Sequence, residues 1–155
     1  MRRARGFTLI ELLVALAVAI LLITVAVPGF TGLLARQQVA ADVNQIASAF
    51  QLARSEAIKQ RREVQVSVEV QPNERGWTIE VREGDTLVRR VTGGGKNVSF
   101  TPDEVEVTYG PLGMAEGKGC PCELAIEPVG SGAGEPRIIK ISKAGGLTIE
   151  DDKDA

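Results

Sequence analysis

The sequence predicts an α+β protein, with a long N-terminal helix laid against an antiparallel β-sheet body. Three observations predict it. Residues 12 to 35 carry no charge at all. An apolar stripe at helical spacing follows directly. The remainder is a series of short segments of alternating apolar and polar residues, punctuated by glycine and proline, which is the pattern of half-buried strands joined by turns. At 155 residues the chain has room for one ordinary domain.

The N-terminal element comes first. Arg2, Arg3 and Arg5 precede Gly6, and an apolar run then extends from Phe7 to Val27. Those 21 residues would make a helix ~31 Å long, matching a bilayer core of ~30 Å. The basic residues lie only on the N-terminal side, so the positive-inside rule holds that end in the cytoplasm and exports the rest. A cleaved secretory signal peptide is the alternative. It calls for a shorter apolar region, about 7–15 residues, followed by a small-residue cleavage site.

Glu11 interrupts this run. A carboxylate within an apolar membrane helix costs about 2.5–3.5 kcal/mol, and less near an end. One reading is that it snorkels to the nearby interface. The other needs a cut after Gly6, which would leave Phe7 with a charged amine at the depth of Glu11. A neighbouring subunit shifted along the axis would then pair with it.

Pro28-Gly29 ends the run. Proline removes a backbone donor and glycine adds freedom, so a kink with the helix resuming is expected, and a true helix end with a short loop is the alternative. From Leu33 to Lys59 the pattern is helical again. Val39, Val43, Ile46, Phe50, Ala53 and Ala57 form one stripe, while Arg36, Gln37, Asp42, Asn44, Gln45, Gln51 and Lys59 fall mostly elsewhere. One element thus spans roughly 7 to 60, half apolar and half amphipathic. The expected divisions are 1–6 as a leader, 7–33 as the membrane or filament-core helix, 34–61 as the amphipathic helix, and 62–155 as the β domain.

In the β domain, Val64, Val66, Val68 and Val70 alternate with polar residues, and so do Trp77, Ile79 and Val81. Leu87–Val91, Val98–Phe100, Val105–Tyr109, Leu124–Glu127, Arg137–Ser142 and Leu147–Glu150 complete seven or eight expected strands. Residues 72–76, 84–85, 93–95 and 130–134 read as turns and loops, 110–113 and 117–119 punctuate one further loop, and 151–155 reads as a solvated tail.

Composition narrows the function. There is no histidine, which removes the Ser-His-Asp and Cys-His systems and histidine metal sites. Two cysteines are too few for a cysteine-only zinc site. The expectation is no enzyme, no metal and no cofactor. The glycine loops at 93–95 and 130–134 lack the order of a phosphate cradle. Cys120 and Cys122 are candidates for a disulfide, which would close a small strained ring; free thiols and an intermolecular bond are the other readings. Net charge is −2, and without the three leader arginines the balance is 15 basic to 20 acidic residues. That argues against bulk binding to nucleic-acid phosphate.

The run Gly6-Phe7-Thr8-Leu9-Ile10-Glu11 after a short basic leader resembles the signal of type IV prepilins and type II secretion pseudopilins. The resemblance implies cleavage between Gly6 and Phe7 by a prepilin peptidase, N-methylation of Phe7, and a registry role for Glu11. Pilin-like proteins often carry a proline where Pro28 stands. Leu52-Ala53-Arg54-Ser55-Glu56-Ala57-Ile58-Lys59 resembles the helix end of the GspH/FimT branch of minor pilins and pseudopilins. The implied fold is type IV pilin-like. The implied function is a structural subunit that assembles into or primes a type IV pilus or a type II secretion pseudopilus. Its partners would be the peptidase, the inner membrane and other pilins, met through the N-terminal helix. The β domain would lie in the periplasm.

The alternative is a DNA-binding minor pilin acting in DNA uptake. Some members of the family capture DNA through arginines near the C-terminus. Here the matching stretch, Ile141 to Ile149, has no arginine, and Glu150, Asp151 and Asp152 follow. Arg137, Lys140 and Lys143 remain as candidate contacts, and a solvated strand face is the favoured reading of them.

Overall fold

The computed structural model describes residues 7–71, 76–94, 98–117, 122–128 and 135–151. Helix α1 spans Leu9–Gln60. The strands are β1 (Val64–Gln71), β2 (Gly76–Glu83), β3 (Thr86–Gly93), β4 (Val98–Thr101), β5 (Glu104–Tyr109), β6 (Ala115–Glu116), β7 (Cys122–Pro128), β8 (Arg137–Ile141) and β9 (Leu147–Asp151).

Both helix ends have local causes. Thr8 is the N-cap in extended conformation, and its Oγ1 accepts from the Glu11 backbone N–H at 3.3 Å. Glu11 reaches back to the Thr8 N–H at 3.4 Å, completing a capping box. At the other end Arg61 turns left-handed, and the N–H groups of Arg61 and Arg62 both return to the Ala57 carbonyl. The helix is continuous through Pro28 and Gly29. No loop divides it there, and the side chains of these two residues lie outside the description.

The expected single β body is two antiparallel sheets. One has the order β3-β2-β1-β5-β6, the other β4-β7-β8-β9. Period-2 alternation puts Val64, Val66 and Val68 of β1, Trp77, Ile79 and Val81 of β2, and Val105, Val107 and Tyr109 of β5 on one buried face. Register aligns them: Val66 faces Val81 and Val107, and Val68 faces Ile79 and Val105. From the second sheet Phe100, Leu124, Ile126, Ile139 and Ile141 join the same core. Every member of the expected helix stripe, from Val39 to Ala57, is buried against them. Burying a side chain of this size stabilises by about 1.5–3 kcal/mol, so the stripe and the strand faces hold the domain together. Burial pushes the Tyr109 hydroxyl up to about 12.

The sheets meet at the end of α1. Arg54 Nε donates to the Gly113 carbonyl and Arg54 Nη2 to the Ala144 carbonyl, each at 3.1 Å. One turn belongs to each sheet. They touch so closely that a Cβ on Gly145 would collide with the Gly113 carbonyl oxygen.

Further expectations change, beginning with Gly76, which opens β2 rather than closing the turn before it. Ala115–Glu116 forms a two-residue strand where a loop was expected. Gly93 belongs to β3 rather than to the loop after it. The tail begins later, because Asp151 is the last residue of β9 and pairs with Arg137 at 3.0 Å. Asp42, placed on the polar side of the helix by its chemistry, is fully buried. Residues 72–75, 130–134 and 152–155 lie outside the described residues.

Candidate functional site

The first half of α1 is the feature that calls for a partner. Each described side chain from Phe7 to Thr24 is exposed. Leu9 is 77% exposed and Leu21 67%. An apolar helix without a polar face belongs inside a protein assembly or a bilayer, because water gains nothing from it on any side. Beyond Leu34 the same helix changes character, and its stripe is covered by the sheets. The element is thus an anchored rod: one half is seated in the β domain and the other half is bare. Among the described residues no helix is long and apolar enough to cross a membrane. The described side chains on the bare half are unbroken only as far as Thr24.

Glu11 sits one turn into this bare half, exposed, with its carboxylate at 3.4 Å from both the Thr8 N–H and the Thr8 hydroxyl. These distances are long for hydrogen bonds to a carboxylate, so the contact is weak and replaceable. A cationic donor would displace it. Phe7, the expected new N-terminus, lies just outside the helix and is 76% exposed. Gly6 lies outside the described residues. Sequence reasoning did not single out Thr8, although Ser or Thr followed three residues later by Glu is the signature of a capping box.

The candidate cations of the C-terminal half are not brought together as a free patch. Arg137 pairs with Asp151, and Lys140 with Glu150 at 2.9 Å and with Glu123 at 3.7 Å. The hydrogen bond to Glu150 raises the Lys140 pKa. Lys143 is set apart on the turn after β8, beside a hollow walled by Met114–Gly117. Arg90 and, next, Arg82 both bind Glu80 and hold its carboxyl below the usual range. Cys122 is disulfide-bonded, and the other cysteine of the chain, Cys120, lies outside the described residues. Among the described residues no cluster of His, Cys, Asp or Glu is gathered as a metal site.

The profile of type II transport protein GspH matches residues 42–145. The chain belongs to the GspH family. The prokaryotic N-terminal methylation motif matches residues 1–27, which include Gly6, Phe7 and Glu11. Among solved structures, the type IV minor pilin FimU of Pseudomonas aeruginosa is 26% identical with a TM-score of 0.50, over 78% of this chain and 92% of that one. The minor pseudopilin EpsH of the Vibrio cholerae type 2 secretion system is 14% identical with a TM-score of 0.51, over 74% of this chain and 97% of that one. The likeness to EpsH is one of fold. No curated protein matches. For this GspH-family chain, the fold and the N-terminal motif stated from sequence both stand.

Proposed function

We propose that this GspH-family chain is a minor pilin or pseudopilin, a structural subunit that is processed after Gly6 and assembled through its N-terminal helix. The observation that carries the reading is the bare apolar half of α1, continuous with a second half that packs into a folded β domain. A filament needs that combination, with one part to bundle and one part to display. Before assembly the Phe7–Val27 segment spans the inner membrane once, with the leader cytoplasmic and the β domain periplasmic. The 21-residue apolar run and its one-sided basic flank support this topology. Prepilin peptidase cuts between Gly6 and Phe7, and Phe7 is then N-methylated. The methylation motif and its residue order support both steps. Glu11 sets register by accepting the amine of a neighbouring Phe7 in place of its weak contact with Thr8. Pro28 and Gly29 give the rod a place to bend.

The subunit role predicts little affinity for nucleic acid. Cations that already hold carboxylates cannot each release a phosphate counterion without breaking an ion pair. In a fluorescence-anisotropy titration of a DNA duplex, the detergent-solubilised chain is expected to bind weakly at physiological salt. Sub-micromolar binding with a steep salt slope, lost on Lys140→Ala and Lys143→Ala, would establish the DNA-capture alternative instead.

A further inference from the structure

Asp42 is the sole charged side chain in the buried set of the described residues. It stands on α1 between Val39 and Ile46 of the stripe. One of its oxygens, Oδ1, accepts from Gln38 Nε2 at 3.0 Å. The other, Oδ2, is buried without a hydrogen bond, and so is the indole Nε1 of Trp77. Three donor groups lie around this carboxyl: the Gln38 amide of its own helix, which is hydrogen-bonded to it, and the Trp77 indole of β2 and the Gly94 backbone N–H of the residue after β3, which favour its charged form without a formed hydrogen bond. Among the described residues no charged or other titratable group from any element acts on it.

The surroundings make this one joint. Trp77 pairs with Gly93 across the open end of the β2–β3 hairpin. A Cβ on Gly93 would collide with the Trp77 indole, so the ring lies flat against bare backbone. Gly94 then turns with φ 91°, a left-handed conformation that suits glycine. Beyond this joint the two strands of the hairpin are held unequally: β2 is paired with β1 and buries Ile79 and Val81. The helix packs on β1, β2 and β5, whereas β3 is an edge strand with little contact to it. Leu87 and Val88 stay exposed.

We propose that Asp42 is a proton-operated latch that fastens the open end of the β2–β3 hairpin to α1. In the protonated state the carboxyl is at home in the core, and the hairpin end is closed over it. In the ionised state it is a buried charge with neutral donors only. Any opening that lets water reach it then becomes cheaper. Desolvation raises the Asp42 pKa above its ordinary 3.8, against the lowering effect of the three donors. A carboxyl with a raised native pKa adds stability below its unfolded pKa. That stability is lost as pH rises through the native value. The latch is therefore tight in acid and looser toward neutrality, opposite in sign to acid unfolding.

Trp77 is the only tryptophan of the chain, so its fluorescence reports this joint alone. Acrylamide quenching of the full-length protein in detergent micelles is the test. Quenching is expected to rise severalfold from acid to neutral pH, with a midpoint above 3.8. Asp42→Asn, which keeps the shape but does not titrate, is expected to stay weakly quenched across the range. Gln38→Ala, at a half-buried helix position that tolerates alanine, removes a donor favouring the charged form and should move the midpoint upward. Wild-type quenching that does not change with pH overturns the proposal. So does the same rise in Asp42→Asn, or a midpoint unmoved by Gln38→Ala.

Discussion

Phe50→Asp is expected to abolish folding of the β domain. Phe50 is 1% exposed and sits in the middle of the helix stripe, where both sheets close over it. Truncating a buried phenylalanine costs about 3–5 kcal/mol. Putting a carboxylate in its place adds an unpaired buried charge, which costs several kcal/mol more. A domain of this size is stable by about 5–15 kcal/mol, so the sum takes most or all of it. In a fragment beginning at Leu34, the cooperative thermal transition seen by circular dichroism should disappear. Phe50→Leu should retain it, with a loss of about 1 kcal/mol. A Phe50→Asp fragment that melts cooperatively within a few degrees of wild type would mean that the helix is not packed as described.

Glu11→Ala is expected to spare membrane insertion and remove the subunit from filaments. The substitution makes the apolar helix easier to insert. It also deletes half of a capping box, which frays the first turn at a cost of about 1 kcal/mol. Neither effect reaches the β domain, which is carried by contacts from Val39 onward. The assembled state loses the anion that receives a neighbour's amine in an apolar setting, where little else offsets that charge. The amount of this subunit in the sheared filament fraction should fall tenfold or more, with the membrane fraction unchanged. Wild-type levels in the sheared fraction would remove Glu11 from any registry role.

Much of this molecule was legible in the order of its residues, for physical reasons that also mark where legibility stopped. Alternation in Val64–Val70 and Trp77–Val81 is set by the pleat itself, so it identifies a strand without a partner. Division into two sheets depends on which strands pair at long range, and no local pattern encodes that. Ala115–Glu116 is too short to alternate. Arg54 gave no signal because the carbonyls it binds lie 59 and 90 residues away.

Asp42 is the instructive miss. It lies three residues after Val39 and four before Ile46, on the stripe by spacing, yet its charge argued for solvent. Spacing decided its place. The carboxyl then met one hydrogen-bond donor, Gln38 of the same helix, with Trp77 of β2 beside it. In the candidate site, the N-terminal methylation motif that includes Gly6, Phe7 and Glu11 was readable because it is contiguous in sequence. The ion pairs that occupy Arg137 and Lys140 were not readable. Glu123, Glu150 and Asp151 meet them only once β7, β8 and β9 are in register.

A filament subunit of this kind is expected to be processed before it assembles. Intact-mass and N-terminal peptide mass spectrometry of the protein from native membranes tests this most directly. The mature chain is expected to begin at Phe7 and to carry one methyl group on its amine. A chain retaining Met1–Gly6, or one cut beyond residue 20 in the manner of a secreted protein, would contradict it.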